Sequence, residues 1–134
     1  MTSTTHTKTV RIGGASAFWG DTQTAAAQLV QHGKLDYLVF DYLAEVTMSV
    51  LAGAKMRDPN AGYATDFVEV LTPLLSQIKN QKIKVIANAG GVNLAACRAA
   101  LQAALDKAGI QMTVATVHGD DLMPHMSKLK QQNI

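Results

Sequence analysis

The stretch RIGGASAFWGD, residues 11–21, is the part of the chain that most strongly determines the predicted fold. Residues 9–12 are typical of a short strand, Gly13-Gly14 predicts a turn, and Gly20-Asp21 opens a helical pattern. A glycine turn between a strand and a helix lets a ligand approach the backbone, and free N–H groups at the helix start can hold an anion. The spacing lacks the G-x-G-x-x-G dinucleotide fingerprint, so a simple tight turn explains the glycines equally well.

Strand-like and helical patterns alternate along the rest of the chain. Further strands are predicted at 37–40, 83–87 and 113–117, and the continuous apolar run 37–40 is typical of a strand buried on both faces. Helices are predicted at 22–32, 43–54, 65–80 (with a break or kink at Thr72), 94–107 and after Pro124. Because helices separate the strands, the sequence predicts an α/β fold of three layers, α/β/α. Its mainly parallel sheet of about four strands has Rossmann-like or flavodoxin-like topology.

Length and composition restrict the kind of protein. With 134 residues, the chain fits one domain with one hydrophobic core. The polar, threonine-rich residues 1–8 are expected to be disordered, which leaves 9–134 as a single α/β domain. A net charge of +2 without a basic stripe argues against nucleic-acid binding, and no apolar run reaches the roughly 18 residues of a membrane span. The single cysteine, Cys97, excludes an internal disulfide and suits a reducing compartment, so we expect a cytoplasmic protein.

Polar residues and glycines gather in the segments that follow the predicted strands. Those segments contain Ser16, Asp41 with Glu45, the run 88–93 and the run 118–121, whereas the segments before the strands are typical of surface turns. Because the carboxyl ends of parallel strands meet at one edge of a sheet, these residues are expected to lie together. That is the edge where α/β proteins bind ligands, so the pattern predicts a small-molecule site.

Each candidate residue has both a functional and a purely structural interpretation. Asp41, Glu45 and Asp120 are candidates for proton transfer, although carboxylates at helix starts also act as caps or offset the helix dipole. The candidates for contacting a ligand or an anion are Gly13, Gly14, Ser16, Trp19, Asn88, Gly90, Gly91 and Asn93. Their alternatives are turn formation, helix capping and, for Trp19 and its neighbour Phe18, packing at the end of the sheet. His118 beside Asp120 and Asp121 lacks the spacing of a metal site, so no metal is predicted.

Five ordered motifs resemble the N-terminal portion of the acyclic terpene utilisation family. They lie at 11–21, 35–48, 62–67, 88–93 and 119–122 and span nearly the whole chain. The resemblance implies a role in the bacterial breakdown of acyclic terpenoids such as citronellol and geraniol, which runs through acyl-CoA thioesters. A CoA thioester is therefore a candidate substrate, while no cofactor and no catalytic role of a particular residue follow from the resemblance.

The same resemblance carries an expectation about completeness, because members of the family are several times longer. The chain is expected to be an incomplete copy of a longer domain, with a hydrophobic sheet edge left open. A partner chain or a homo-oligomer is then expected to cover that edge. Two hypotheses follow: an enzyme, or part of one, that acts on a terpenoid acyl-CoA or a related acid, and a non-catalytic truncated or split-gene product that needs a partner.

Overall fold

The computed structural model describes residues 9–132 and confirms an α/β fold. The strands are β1 (Ile12–Ser16), β2 (Tyr37–Phe40) and β3 (Lys84–Ala87). The helices are α1 (Ala25–His32), α2 (Glu45–Arg57), α3 (Thr65–Leu71), α4 (Leu75–Gln81), α5 (Leu94–Lys107) and α6 (Met126–Gln131). Short 3-10 turns at Thr72–Leu74 and Met123–His125 precede α4 and α6. The disorder predicted for residues 1–8 lies outside the described residues.

The strands form one parallel sheet in the order β1-β2-β3, with helices on both sides. This arrangement is compatible with the predicted α/β/α layers, and each pair of neighbouring strands is joined through helices, as in a βαβ crossover. Side chains alternate between the two faces of a sheet. The pairing register therefore places Gly13, Leu38 and Val85 in one row on one face of the sheet. The next row, which consists of Gly14, Val39 and Ile86, lies on the opposite face.

The predicted fourth strand at 113–117 is wrong, because the sheet has three strands. The segment does show the alternation that led to the prediction: Met112, Val114 and Thr116 are half-buried, whereas the residues between them are exposed. A strand also needs a neighbour that completes its backbone hydrogen bonds. Among residues 9–132, no strand pairs with this segment. The alternation of half-buried and exposed side chains alone could not reveal that no described strand pairs with this segment.

β1 lies later in the chain than predicted, and it contains both glycines of the supposed turn. The predicted turn at Gly13-Gly14 is therefore wrong. Gly13 is buried because Leu35 lies against it, so a Cβ on Gly13 would come within 2.6 Å of Leu35 Cδ1. A Cβ on Gly14 would meet nothing within 4 Å. The pairing becomes irregular between Gly14 and Ser16, and the turn comes only after Ser16.

Most helix boundaries follow their predicted signals. α1 ends before Gly33, and the predicted break at Thr72 separates α3 from α4. Asn93 caps α5, since its side chain accepts the backbone N–H of Ala96 at 3.3 Å. α1 begins later than predicted, because Thr22 closes a turn before it by accepting two backbone N–H groups. α2 begins at Glu45, two residues later than predicted.

One main hydrophobic cluster packs against a single face of the sheet. Its buried members include Val30, Leu38, Phe40, Ile78, Cys97 and Leu105. The opposite face is less covered, since Ile12 is 65% exposed and Ile86 is 54% exposed. No helix among the described residues combines the length and the apolar character that crossing a membrane requires.

Candidate functional site

Ser16, Asp41 and Asn88 meet at the carboxyl edge of the sheet, where β1, β2 and β3 end. The side-chain amide of Asn88 donates to Asp41 Oδ1 at 2.7 Å. The Ser16 hydroxyl donates to the Asp41 carbonyl at 3.4 Å, and the Asp41 N–H donates to the Ser16 carbonyl at the same distance. Asp41 and Asn88 are exposed and Ser16 is half-buried. We call these three residues the edge cluster.

Asn88 holds the edge cluster together through both ends of its side chain. Its Oδ1 accepts the backbone N–H of Tyr42 at 2.7 Å, while its backbone N–H donates to the Phe40 carbonyl at 3.4 Å. The side chain thereby continues the bonding between β2 and β3 past the ends of the strands. Because Oδ1 must accept, Nδ2 is left to donate to Asp41. Asn88 therefore fixes the position of a carboxylate that remains open to solvent.

The edge cluster has the functional groups of a site that binds a polar group and moves a proton. Ser16 supplies a hydroxyl that can donate or accept a hydrogen bond, and Asp41 supplies a carboxylate that can accept a proton. The Asn88 amide orients that carboxylate. Among residues 9–132, no three side chains of His, Cys, Asp or Glu are grouped as metal ligands.

A second polar contact near this edge joins two residues that lie 47 positions apart in the chain. The indole N–H of Trp19 donates to Asp66 Oδ1, in the first turn of α3, at 2.7 Å. The pKa of Tyr42 is raised to about 12, mainly by burial and to a smaller extent by the negative charge of Asp66. Asp66 was not among the predicted site residues. Its only signal in the sequence is its place in the motif 62–67.

The predicted anion-binding loop at 88–93 uses several of its polar groups within the protein. The Gly91 N–H donates to the Asn88 carbonyl at 3.2 Å. The Asn93 Nδ2 donates to the carbonyls of Pro59 and Ala61 at 2.8 Å and 2.7 Å. Gly90 is buried beside this turn. These bonds tie the loop to the residues before α3, and anion binding by Gly90, Gly91 or Asn93 stays a prediction.

Glu45 and Asp120 lie apart from the hydrogen bonds of the edge cluster. Glu45 is exposed at the first residue of α2, where a negative charge offsets the helix dipole. Asp120 is exposed in a segment whose side-chain bonds are local. There, His118 bonds the Thr116 hydroxyl at 2.9 Å, and Asp121 accepts the Met123 N–H at 3.0 Å. Proton transfer by Glu45 or Asp120 therefore gains no geometric support from these contacts.

The fold and the edge cluster define a class of protein: an α/β protein with polar groups at the carboxyl edge of a parallel sheet, where this class binds small molecules. The family model described as "Acyclic terpene utilisation family protein AtuA" matches residues 10–134. The chain therefore belongs to the acyclic terpene utilisation family, which confirms the resemblance seen in its motifs. No curated protein and no solved structure matches the chain. Membership associates the chain with acyclic terpene utilisation in general.

Proposed function

We propose that the chain binds the acyl head of an acyclic terpenoid thioester at the edge cluster, and that Asp41 removes a proton next to its carbonyl. The observation that carries the proposal is the bond from Asn88 to Asp41 Oδ1 at 2.7 Å, which presents an exposed carboxylate at the edge where α/β sheets generally bind ligands. Family membership supports the terpenoid part of the proposal. The location of the carboxylate supports the proton transfer.

The charge of Asp41 favours a thioester over a free acid. An ionised acid would bring a second negative charge against the Asp41 carboxylate, and like charges at contact distance repel. A thioester carbonyl is neutral and accepts hydrogen bonds, which suits the Ser16 hydroxyl as its donor once that hydroxyl turns away from the Asp41 carbonyl, to which its bond is long at 3.4 Å. The ligand expected here is therefore an acyl-CoA or a shorter thioester, with the free acid binding more weakly.

The test measures proton exchange at the carbon next to the carbonyl. Citronelloyl N-acetylcysteamine thioester is incubated with the protein in D₂O, and NMR follows deuterium incorporation at that carbon. Asp41→Asn is expected to slow the exchange by about 10²-fold or more, because a positioned base contributes roughly 10²–10⁴-fold. Its binding of the neutral thioester should change little.

Asp106→Asn is the matched control for this test. Asp106 lies near the far end of α5, which starts just after the edge cluster and has 14 residues. At 1.5 Å per residue, that end is roughly 20 Å away. The Asp106 variant should exchange like the wild type. Equal exchange rates in the wild type and Asp41→Asn, or no binding of thioester by the wild type, would contradict the proposal.

We propose as the second candidate that the chain is a non-catalytic part that needs a partner chain. The observation that favours it is the incompletely covered sheet face, with Ile12 at 65% and Ile86 at 54% exposure. Light scattering during size-exclusion chromatography, together with a thermal melt, tests this candidate. A monomer that melts cooperatively and also exchanges the thioester proton would argue against it.

A further inference from the structure

The loop that joins β1 to α1, residues 17–24, places two adjacent aromatic side chains in different surroundings. Trp19 is half-buried, packs against the main hydrophobic cluster and donates its indole N–H to Asp66. Phe18 is 54% exposed. Trp19 is therefore anchored against the hydrophobic cluster, whereas Phe18, two residues after Ser16 of the edge cluster, keeps more than half of its exposure.

Hydrogen bonds on both sides of Phe18 fix its exposed position. Asp21 Oδ2 accepts the Ala17 N–H at 2.9 Å, and the Asp21 N–H donates to the Phe18 carbonyl at 3.2 Å. The Trp19 bond to Asp66, at 2.7 Å, anchors the next residue. A phenyl ring gains free energy when it leaves water, so a ring held at the surface beside a site is available to an apolar ligand.

The neighbouring strand end also leads to an exposed apolar side chain. Val46, in the first turn of α2, is 71% exposed. Because β1 and β2 are paired, the segments that follow them begin at the same edge of the sheet. Apolar surface on these two segments, together with the polar edge cluster, fits a ligand with a polar head and a hydrocarbon chain.

We propose that Phe18 contacts the hydrocarbon chain of the acyl thioester and sets the preference for long chains. This role rests on the proposed function, since the thioester head must occupy the edge cluster for its chain to meet the ring. Trp19 is then a positioning residue, which holds the loop through Asp66 and leaves the ligand contact to Phe18.

The test compares two N-acetylcysteamine thioesters that share a saturated 3-methyl acyl head and differ in chain length, the short isovaleryl and the long citronelloyl compound. Dissociation constants come from amide chemical-shift titrations of the wild type, Phe18→Ser and Phe18→Leu. Each buried CH₂ strengthens binding about fourfold, so the wild type should bind the long compound about tenfold or more tightly than the short one. Phe18→Ser should lose most of that ratio, whereas Phe18→Leu, which keeps an apolar side chain, should retain it.

Met56→Ser is the matched control, because Met56 is an exposed apolar residue (88%) near the far end of α2. It should keep the wild-type ratio. If Phe18→Ser also keeps the ratio while Asp41→Asn has lost proton exchange, the proposed function stands and the role of Phe18 is overturned. Equal weakening of both thioesters by Phe18→Ser would also overturn it, because the ring would then act on the head. If the wild type binds neither compound, both proposals fail.

Discussion

Asn88 is the residue on which the geometry of the edge cluster depends. Asn88→Ala removes the acceptor of the Tyr42 N–H and the donor to Asp41, and both bonds measure 2.7 Å. We expect the free energy of unfolding to fall by about 1–2 kcal/mol, since each partly exposed hydrogen bond contributes on the order of 1 kcal/mol. Urea denaturation measures the loss. The control is Asn80→Ala, at an exposed position of α4, and it should stay within about 0.5 kcal/mol of the wild type.

Asn88→Asp tests the two side-chain hydrogen bonds of Asn88 separately. The aspartate keeps an oxygen for the Tyr42 N–H but sets a second carboxylate against Asp41, so repulsion replaces attraction. We expect this variant to remain folded and to lose proton exchange on the thioester, because Asp41 is no longer held in place. Wild-type exchange in Asn88→Asp would contradict the positioning role of Asn88.

Tyr42 makes the stability of the fold sensitive to alkaline pH. Burial and Asp66 raise its pKa from 10.0 to about 12 in the folded chain. As the pH rises, the unfolded chain loses this proton first, so the stability that Tyr42 contributes is complete below about pH 10 and is lost by about pH 12. The loss is at most about 2–3 kcal/mol. Burial also raises the pKa of Cys97, to about 11, and the pKa of Tyr63. These two groups therefore add to the loss of stability at alkaline pH.

Urea denaturation between pH 9 and 12 tests the contribution of Tyr42. Tyr42→Phe has no phenol to ionise, so its stability should fall less steeply over this range. Identical slopes in the wild type and Tyr42→Phe would contradict the prediction.

The sequence predicted which polar residues meet at the candidate site, while their functional roles stay a prediction. Ser16, Asp41 and Asn88 were predicted to meet because each follows a strand, and parallel strands end at one edge. Asp66 was missed because its bond to Trp19 depends on how α3 packs beside the loop, which no local pattern records. Asn93 was predicted equally as a cap and as a ligand contact, and its observed bonds include the cap.

The turn between β3 and α5 depends on the glycine at position 91. Gly91 has φ of +52°, and a Cβ there would come within 2.5 Å of Leu51 Cδ1 and 2.7 Å of the Gly62 carbonyl oxygen. Gly91→Ala should therefore cost about 2–4 kcal/mol, from backbone strain of about 1–2 kcal/mol together with steric overlap. Gly109→Ala is the control, because φ is +65° there and a Cβ would meet nothing within 4 Å.

Thermal and urea denaturation of the two glycine variants separate strain from overlap. Gly109→Ala should lose about 1–2 kcal/mol through strain alone. A Gly91→Ala variant no less stable than Gly109→Ala would show that Leu51 and the Gly62 backbone move aside. The contacts around Gly91 would then be looser than the structure indicates.

The elements were predicted well where a local signal determines them and poorly where a partner does. The break at Thr72 follows from Pro73, and the cap at Asn93 follows from its side chain. By contrast, β1 extends through two glycines because it pairs with β2, although glycine weakens an isolated strand. The predicted strand at 113–117 has the right side-chain period and no paired neighbour among the described residues.

The two faces of the sheet differ in how far the rest of the molecule covers them. Leu38 and Phe40 are almost fully buried within the main hydrophobic cluster. On the opposite face, Ile12 and Ile86 retain more than half of their exposure. Exposed apolar side chains that lie in one sheet face, unlike single ones scattered over a surface, are typical of an interaction site. A second copy of the chain is one means of covering this face.

Two substitutions on the opposite faces of the sheet test this asymmetry. Leu38→Ala should reduce the free energy of unfolding by about 3–5 kcal/mol, because it leaves a cavity in a packed core. Ile86→Thr, at a 54% exposed strand position, should change it by no more than about 0.5 kcal/mol in the monomer. If a second copy covers this face, light scattering at rising concentration should show a dimer that Ile86→Thr weakens and that exposed Met56→Ser leaves intact. A wild type that stays monomeric at every concentration would exclude the homo-oligomer.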